Sequence, residues 1–277
     1  MTPRLVLITG TSSGIGKATA LAFAAAGWQV LAASRQPATP ATAAGMRHIQ
    51  LDPASAADRT ALVELLARDY GGRLDCLVNN AGYAQSGPVE LLDEAAWRSQ
   101  LDTNLIAPAL LTAALLPALR QGRGCLINVS SVLGRTSYAW QGAYCAAKFG
   151  MEGWTESLML ETQGQGIRVH LIEPGTTRSE FGANMLQVGQ APAPYAATAL
   201  RFAQLRQRLA GRAQPPEKVA RVILRTAQAR RAPFRQLVGT DARLAGLLLA
   251  CLPSSLYVAL NRLLARKLLH LPAQERP

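Results

Sequence analysis

The feature that most constrains this chain is a regular alternation of short apolar runs with longer helical ones. Leu5–Thr9, Gln29–Ala33, His48–Leu51, Cys76–Asn79, Cys125–Val129 and Arg168–Ile172 read as strands. Ser13–Ala26, Ala56–Tyr70, Ala95–Leu119, Tyr144–Gln163 and Pro216–Ala229 read as helices between or after them. Strands separated by helices are joined by right-handed crossovers, which build a parallel sheet covered on both faces. The expected fold is therefore α/β: one domain with a doubly wound, Rossmann-like parallel sheet. With 49% hydrophobic and 17% charged residues, 277 residues can bury a sizeable core for it.

Residues 176–215 interrupt the rhythm with a long segment punctuated by glycine and proline. It follows the carboxyl end of a strand, the edge where open α/β sheets bind ligands, and so reads as a substrate lid. Beyond residue 242 a leucine-rich, basic segment, 243–277, reads as a C-terminal helical extension. Its apolar runs are too short to span a bilayer. It can pack on its own domain, on a second subunit or on a membrane surface.

Charge is uneven. The last 77 residues hold 15 Lys and Arg against 3 Asp and Glu, which accounts for the whole net charge of +12. Such a face suits phospholipid headgroups, an acyl-carrier or CoA-type substrate, or nucleic acid; it is equally the composition of a solvated helical surface. No helix-turn-helix, zinc-finger or RNP-like pattern accompanies the charge, so no nucleic-acid partner is expected. Cys76 and Cys125 sit in strand-like runs and read as buried free thiols, which fits a reducing, cytoplasmic setting. The first strand begins within a few residues of Met1, where no signal peptide is expected. His48, His170 and His270 are scattered and form no metal-binding spacing, so no metal is expected.

The chemistry is concentrated in four places. Thr9-Gly10-Thr11-Ser12-Ser13-Gly14-Ile15-Gly16 follows the first strand and opens a helix. Glycines there allow a tight turn and close approach of the backbone to a pyrophosphate, and the helix N-terminus supplies N–H groups to it. The second strand ends at Ser34-Arg35 with no acidic residue to hold a ribose 2′-hydroxyl, and a guanidinium pairs well with a 2′-phosphate. NADP(H) is the expected cofactor. Tyr144 and Lys148 are four apart on a predicted helix and share a face, so an ammonium beside the phenol should lower its pKa. Ser131, at the end of the preceding strand, can hold a substrate oxygen. With 6 Tyr and few Lys in the chain, a Tyr-x-x-x-Lys pair alone is a weak signal; its position gives it weight. Asp241, after Gly239, reads as a turn or helix cap.

These motifs together resemble the short-chain dehydrogenase/reductase family, from the first strand to about residue 180. Thr9–Gly16 matches the family's cofactor turn. Asp52 matches an Asp that contacts the adenine, and Asn79-Asn80-Ala81-Gly82 a segment that lies along the cofactor. Asn104 matches an Asn of a proton relay, and Ser131, Tyr144 and Lys148 match the catalytic Ser, Tyr and Lys. Glu173-Pro174-Gly175-Thr176-Thr177 matches the loop that closes over the nicotinamide, with Ser179 where Thr is more usual. The resemblance implies an NADP(H)-dependent oxidoreductase that interconverts a carbonyl and an alcohol, with Lys148 also holding the ribose and Asn104 a water. It implies homo-oligomers built on the helices of 95–119 and 144–163. The run Tyr144–Gly153, with Ile167–Phe181 and the tail, is most similar to the 17β-hydroxysteroid and retinol dehydrogenase branch, hence a lipophilic substrate. A 3-oxoacyl thioester reductase and a non-catalytic dinucleotide sensor or scaffold are the alternatives.

Overall fold

The structure, a computed structural model, describes residues 3–36, 43–178, 186–187 and 195–269. In chain order its elements are β1 (Leu5–Thr9), α1 (Gly14–Ala25), β2 (Gln29–Ser34), β3 (Met46–Gln50), α2 (Ala56–Tyr70), β4 (Cys76–Asn79), β5 (Gln85–Ser86), α3 (Glu94–Leu101) and α4 (Ala107–Gly122). Then come β6 (Cys125–Val129), α5 (Gly142–Glu161), β7 (Arg168–Pro174), β8 (Leu186–Gln187), α6 (Ala196–Gly211), α7 (Pro216–Gln228), β9 (Arg235–Val238), α8 (Thr240–Cys251) and α9 (Ser254–Leu269). Seven strands form one parallel sheet in the order β3-β2-β1-β4-β6-β7-β9, as the alternation predicts. β5 and β8 pair separately.

The period of two along the strands explains why both faces are covered. Val6 and Ile8 of β1 pack with Phe23 of α1 and with Val219 and Ile223 of α7. Leu5 and Leu7 face the other way, toward Leu66 of α2, Leu111 and Leu115 of α4 and Leu158 of α5. The chain winds outward from β1 to β3, then returns to β4 on the other side. The reversal leaves a crevice at the carboxyl ends of β1 and β4.

The short strands β5 and β8 and the helix α6 were not expected from the sequence, and two further differences have a clear physical cause. β9 was not expected as a strand: its residues Arg235-Gln236-Leu237-Val238 are mostly half-buried, because an edge strand pairs on one side only. The long helix expected over Ala95–Leu119 is interrupted by a π-helical turn at Asp102–Ile106. Pro108 accounts for this, since it has no N–H to donate to the carbonyl four residues back and its ring crowds that carbonyl. The run Glu94–Gly122 is long and apolar enough to cross a membrane, yet Leu111, Leu115 and Leu119 are fully buried in the core.

The C-terminal helices fold back on their own domain. Tyr257 of α9 hydrogen-bonds the Thr136 hydroxyl, and Asn261 Nδ2 reaches the same oxygen at 3.5 Å. Cys76 and Cys125 are free, buried and directly paired across β4 and β6.

Candidate active site

The glycine turn is braced by the neighbouring strand. Gly10 adopts φ 72°, which a side chain rarely tolerates, and a Cβ on Gly16 would overlap the Gly10 carbonyl oxygen. Asn80 Nδ2 donates to the carbonyls of Thr9 (2.9 Å) and Gly10 (3.2 Å), while the Thr9 hydroxyl accepts from the backbone N–H groups of Asn80 and Ala81, each at 3.0 Å. No side chain caps α1 at Ser13, so the first-turn N–H groups stay available to a ligand.

From this turn a single cleft of about 1970 Å³ runs past Arg35 and Asp52 to Ser131, Tyr144 and Lys148, and on to α6, α8 and α9. Gly10, Ser12, Ser13, Gly14, Ile15, Asn80, Ala81, Gly82, Pro174, Gly175 and Thr177 all line it. Arg35 is exposed at its rim. Asp52 is held in the wall, where its Oδ1 accepts from Ala54 N at 3.0 Å and its own N–H donates to Asp58 at 2.7 Å. Gly16 and Asn104, with Thr11, Asn79 and Glu173 of the same motifs, stand behind the lining. The polar turn, uncapped helix and groove along β2 and β4 fit a dinucleotide.

At the far end of that groove α5 presents Tyr144 and Lys148 one turn apart, both almost fully buried. The ammonium lies 5.9 Å from the centre of the Tyr144 ring and donates to the Val129 carbonyl at 2.8 Å. Ser131 starts the turn after β6; its hydroxyl accepts from Leu133 N at 3.1 Å and acts on the Tyr144 phenol in the direction that favours its anion. Burial pushes the phenol well above its ordinary pKa, and the Ser131 hydroxyl offsets this only in part. That direction is opposite to the one the Tyr–Lys spacing suggests: desolvation outweighs a cation that is directed at a backbone carbonyl. Burial likewise pushes Lys148 down, to about 8, against the supporting charge of Glu152. Near neutral pH the site thus holds a protonated phenol, the form that can give up a proton.

Asn104 lies in the π turn. Its Nδ2 donates to the carbonyls of Tyr83 (2.7 Å) and Gln100 (3.3 Å), and its Oδ1 accepts from Tyr83 N at 3.3 Å. Gly82 leaves the room it needs, since a Cβ there would overlap Asn104 Oδ1.

Asp241 has a larger part than the sequence indicated. It sits in the first turn of α8, where its Oδ1 accepts from Ala242 N at 2.9 Å, but its Oδ2 also accepts from Thr176 N at 2.6 Å. It thereby ties the Pro174–Thr177 loop to α8. Gln214, unremarked in the sequence, secures the same loop: its Nε2 donates to Val238 O at 2.7 Å, and its backbone pairs with Thr176 and Arg178. Neither residue belongs to a motif; only contacts across the fold could reveal them. Ser179 lies outside the described residues, as does His270. His170, on β7, has its Nδ1 3.0 Å from Pro233 O, while His48 is on the edge strand β3.

A sheet of this winding, with a glycine turn at its first crossover and a Tyr–Lys pair facing it along one groove, is the architecture of NAD(P)-dependent oxidoreductases. Residues 4–188 match the short chain dehydrogenase family, and the chain belongs to it. It is 33% identical over 242 residues to the 3-ketodihydrosphingosine reductase of Bacteroides thetaiotaomicron, covering 86% of this chain and 89% of that one. It is 35% identical over 274 residues to retinol dehydrogenase 5 of Homo sapiens, covering 91% and 85%. A short-chain dehydrogenase structure from Streptomyces avermitilis superposes with a TM-score of 0.78 at 32% identity, covering 94% of this chain and 96% of that one.

Proposed function

We propose that this oxidoreductase uses NADP(H) to interconvert a carbonyl and an alcohol on a lipophilic substrate. The observation that carries the reading is the buried Tyr144 phenol, which lines one cleft with Ser131 and Lys148 where the polar groove meets an apolar mouth. The cofactor, when bound, supplies the hydride to the carbonyl carbon. Tyr144 gives its proton to the carbonyl oxygen, so its O–H breaks as the alcohol O–H forms. Ser131 holds that oxygen by a hydrogen bond as negative charge develops on it. Lys148 stabilises the phenolate left behind and holds the ribose hydroxyls. Family likeness assigns Asn104 a water on the route from Lys148 to solvent; its side-chain contacts support a second task, bracing the Asn80–Tyr83 wall.

The mouth is lined by Phe202, Leu205, Leu209, Leu244, Leu248 and Leu260, which suits an apolar substrate, with α6 as its lid; 179–185 and 188–194 of the segment expected to form the lid lie outside the described residues. Two relatives are named for 3-ketodihydrosphingosine and for retinol, in keeping with a lipid-like carbonyl or alcohol. NADPH oxidation should be followed with long-chain 3-ketones, retinoid aldehydes and steroid ketones, each free in detergent. Cofactor binding without turnover of any would point to a sensor; turnover only of carrier-bound thioesters would point to a 3-oxoacyl reductase.

Arg35 is the proposed partner of the 2′-phosphate. Arg35→Ala is expected to raise KM for NADPH roughly 10- to 100-fold, the worth of a charge-assisted hydrogen bond. KM for NADH should stay within about twofold. Equal losses with both cofactors would overturn the assignment.

The mouth is also the proposed contact with a membrane surface. Leu200, Leu244, Leu247, Leu256 and Leu263 are exposed on α6, α8 and α9. Arg243, Arg262, Arg266 and Lys267 are exposed among them, and Asp241, engaged by Thr176, is the sole acid on the three helices. The protein should co-sediment with vesicles containing anionic lipid and be released as salt rises toward 1 M. Equal recovery with neutral vesicles would remove the electrostatic part of this reading.

A further inference from the structure

Behind Lys148 lies a buried acidic cluster that the proposed reaction leaves unused. Glu173 on β7 is fully buried, and neither of its carboxylate oxygens has a hydrogen-bond partner among the described residues. Two guanidinium groups stand just outside hydrogen-bond reach: Arg135 Nη1 is 3.6 Å from Oε2 and Arg235 Nε is 3.7 Å from Oε1. Arg235 is turned toward α5 instead. Its Nε is 3.0 Å from Glu152 and its Nη2 2.6 Å from Glu156. Glu152 is itself buried, and its Oε1 is unpartnered, as is the buried hydroxyl of Ser130. Gly134 packs over both, with room for no side chain: a Cβ there would lie 2.7 Å from Ser130 Oγ and 3.2 Å from Glu152 Oε1. Two carboxylates thus meet one Arg235 nitrogen, and a lone ionised carboxylate is costly in such a place.

We propose that Glu152 and Glu173 act as a carboxylate pair that holds one proton and, through it, sets the charge on Lys148. Glu152 lies one helical turn beyond Lys148 and is the charged neighbour that favours its ammonium form. Burial and the Glu152 charge push Glu173 up to about 7, against Arg135 and Arg235. The charged groups that act on Glu173 are Glu152 from α5, Arg135 from the turn after β6 and Arg235 from β9. Below neutral pH Glu173 keeps its proton and adds no charge to the cluster. Above it Glu173 is ionised, and Lys148 holds its proton to higher pH. The importance of this for turnover rests on the role given to Lys148; the titration itself does not. These are positioning residues, acting through the lysine.

Two spectroscopic titrations read the proposal without activity. The chain has four lysines (Lys17, Lys148, Lys218 and Lys267), so ¹³Cε-lysine NMR of the intact protein resolves Lys148, assigned with Lys148→Arg. In Glu173→Gln and Glu152→Gln the Lys148 midpoint should fall by about half a pH unit or more. In parallel, an infrared carboxylic-acid band should persist in wild type above pH 6, vanish on passing neutrality, and be missing from Glu173→Gln. A Lys148 midpoint equal in all three proteins overturns the coupling. A wild type without the band above pH 6 overturns the shared proton. Where NADPH oxidation is measurable, its alkaline limb should move with the NMR midpoint; a variant that only loses thermal stability would leave both unmoved.

Discussion

Tyr144→Phe should lower the rate of carbonyl reduction by roughly 10²–10⁴-fold, the usual worth of a positioned proton donor. The change removes one oxygen from a side chain that is 6% exposed, so the ring still fills its place in α5. NADPH affinity and thermal stability should therefore stay near wild type, and the loss should fall on kcat rather than KM. Wild-type pH dependence follows from the same site. Because burial holds the phenol protonated well beyond neutrality, no limb near neutral pH should come from Tyr144. An alkaline limb belongs to Lys148, which loses its charge near 8. Steady-state kinetics from pH 6 to 10 check both points. A variant that keeps full turnover with an intact fold would remove Tyr144 from the chemistry.

Gly16→Ala carries the other large effect. Alanine normally stabilises a helix relative to glycine by about 0.5–1 kcal/mol. At this position the added methyl would overlap the Gly10 carbonyl oxygen and crowd Asn80 Nδ2, the two groups that shape the cofactor turn. Overpacking of this kind costs about 1–3 kcal/mol, so the sign reverses. NADPH affinity should fall with it, because the turn must shift to make room. Gly153 is the internal control: it is exposed on α5, and a Cβ there meets nothing. Gly153→Ala should raise stability by about 0.5–1 kcal/mol and leave cofactor binding unchanged. Denaturant melts and NADPH fluorescence titrations on both variants measure the contrast. Two variants that behave alike would show that the turn yields easily.

What could be read in the chain beforehand was what local chemistry specifies. β1, β4 and β6 announce themselves because strands buried on both faces are apolar along nearly their whole length. The turn at Gly10–Gly16 is legible because few residues besides glycine tolerate that path. β9 stayed hidden, since an edge strand mixes Arg235 and Gln236 with Leu237 and Val238 and shows no pattern. The π turn at Asp102–Ile106 stayed hidden for a different reason: a periodic reading carries one helix through Ala95–Leu119 and past Pro108. Within the site, the shared face of Tyr144 and Lys148 followed from spacing, but the direction of the Tyr144 shift did not. Desolvation depends on what is packed around the phenol, which no spacing reports. Asp241 and Gln214 hold the Pro174–Thr177 loop across more than thirty residues of intervening chain, beyond the reach of any local motif.

The bonds from Tyr257 and Asn261 to Thr136 bear on the order in which this enzyme becomes competent as it is made. The cofactor turn, its brace at Asn80 and the Ser–Tyr–Lys set all leave the ribosome before α8 and α9. A nascent chain can therefore assemble its sheet, and the groove for a nucleotide, while the mouth is still unroofed. The apolar walls close only when the last helix reaches back to Thr136. Between those two moments the apolar mouth lies open to water, which leaves the late nascent chain exposed to chaperones and to misassembly.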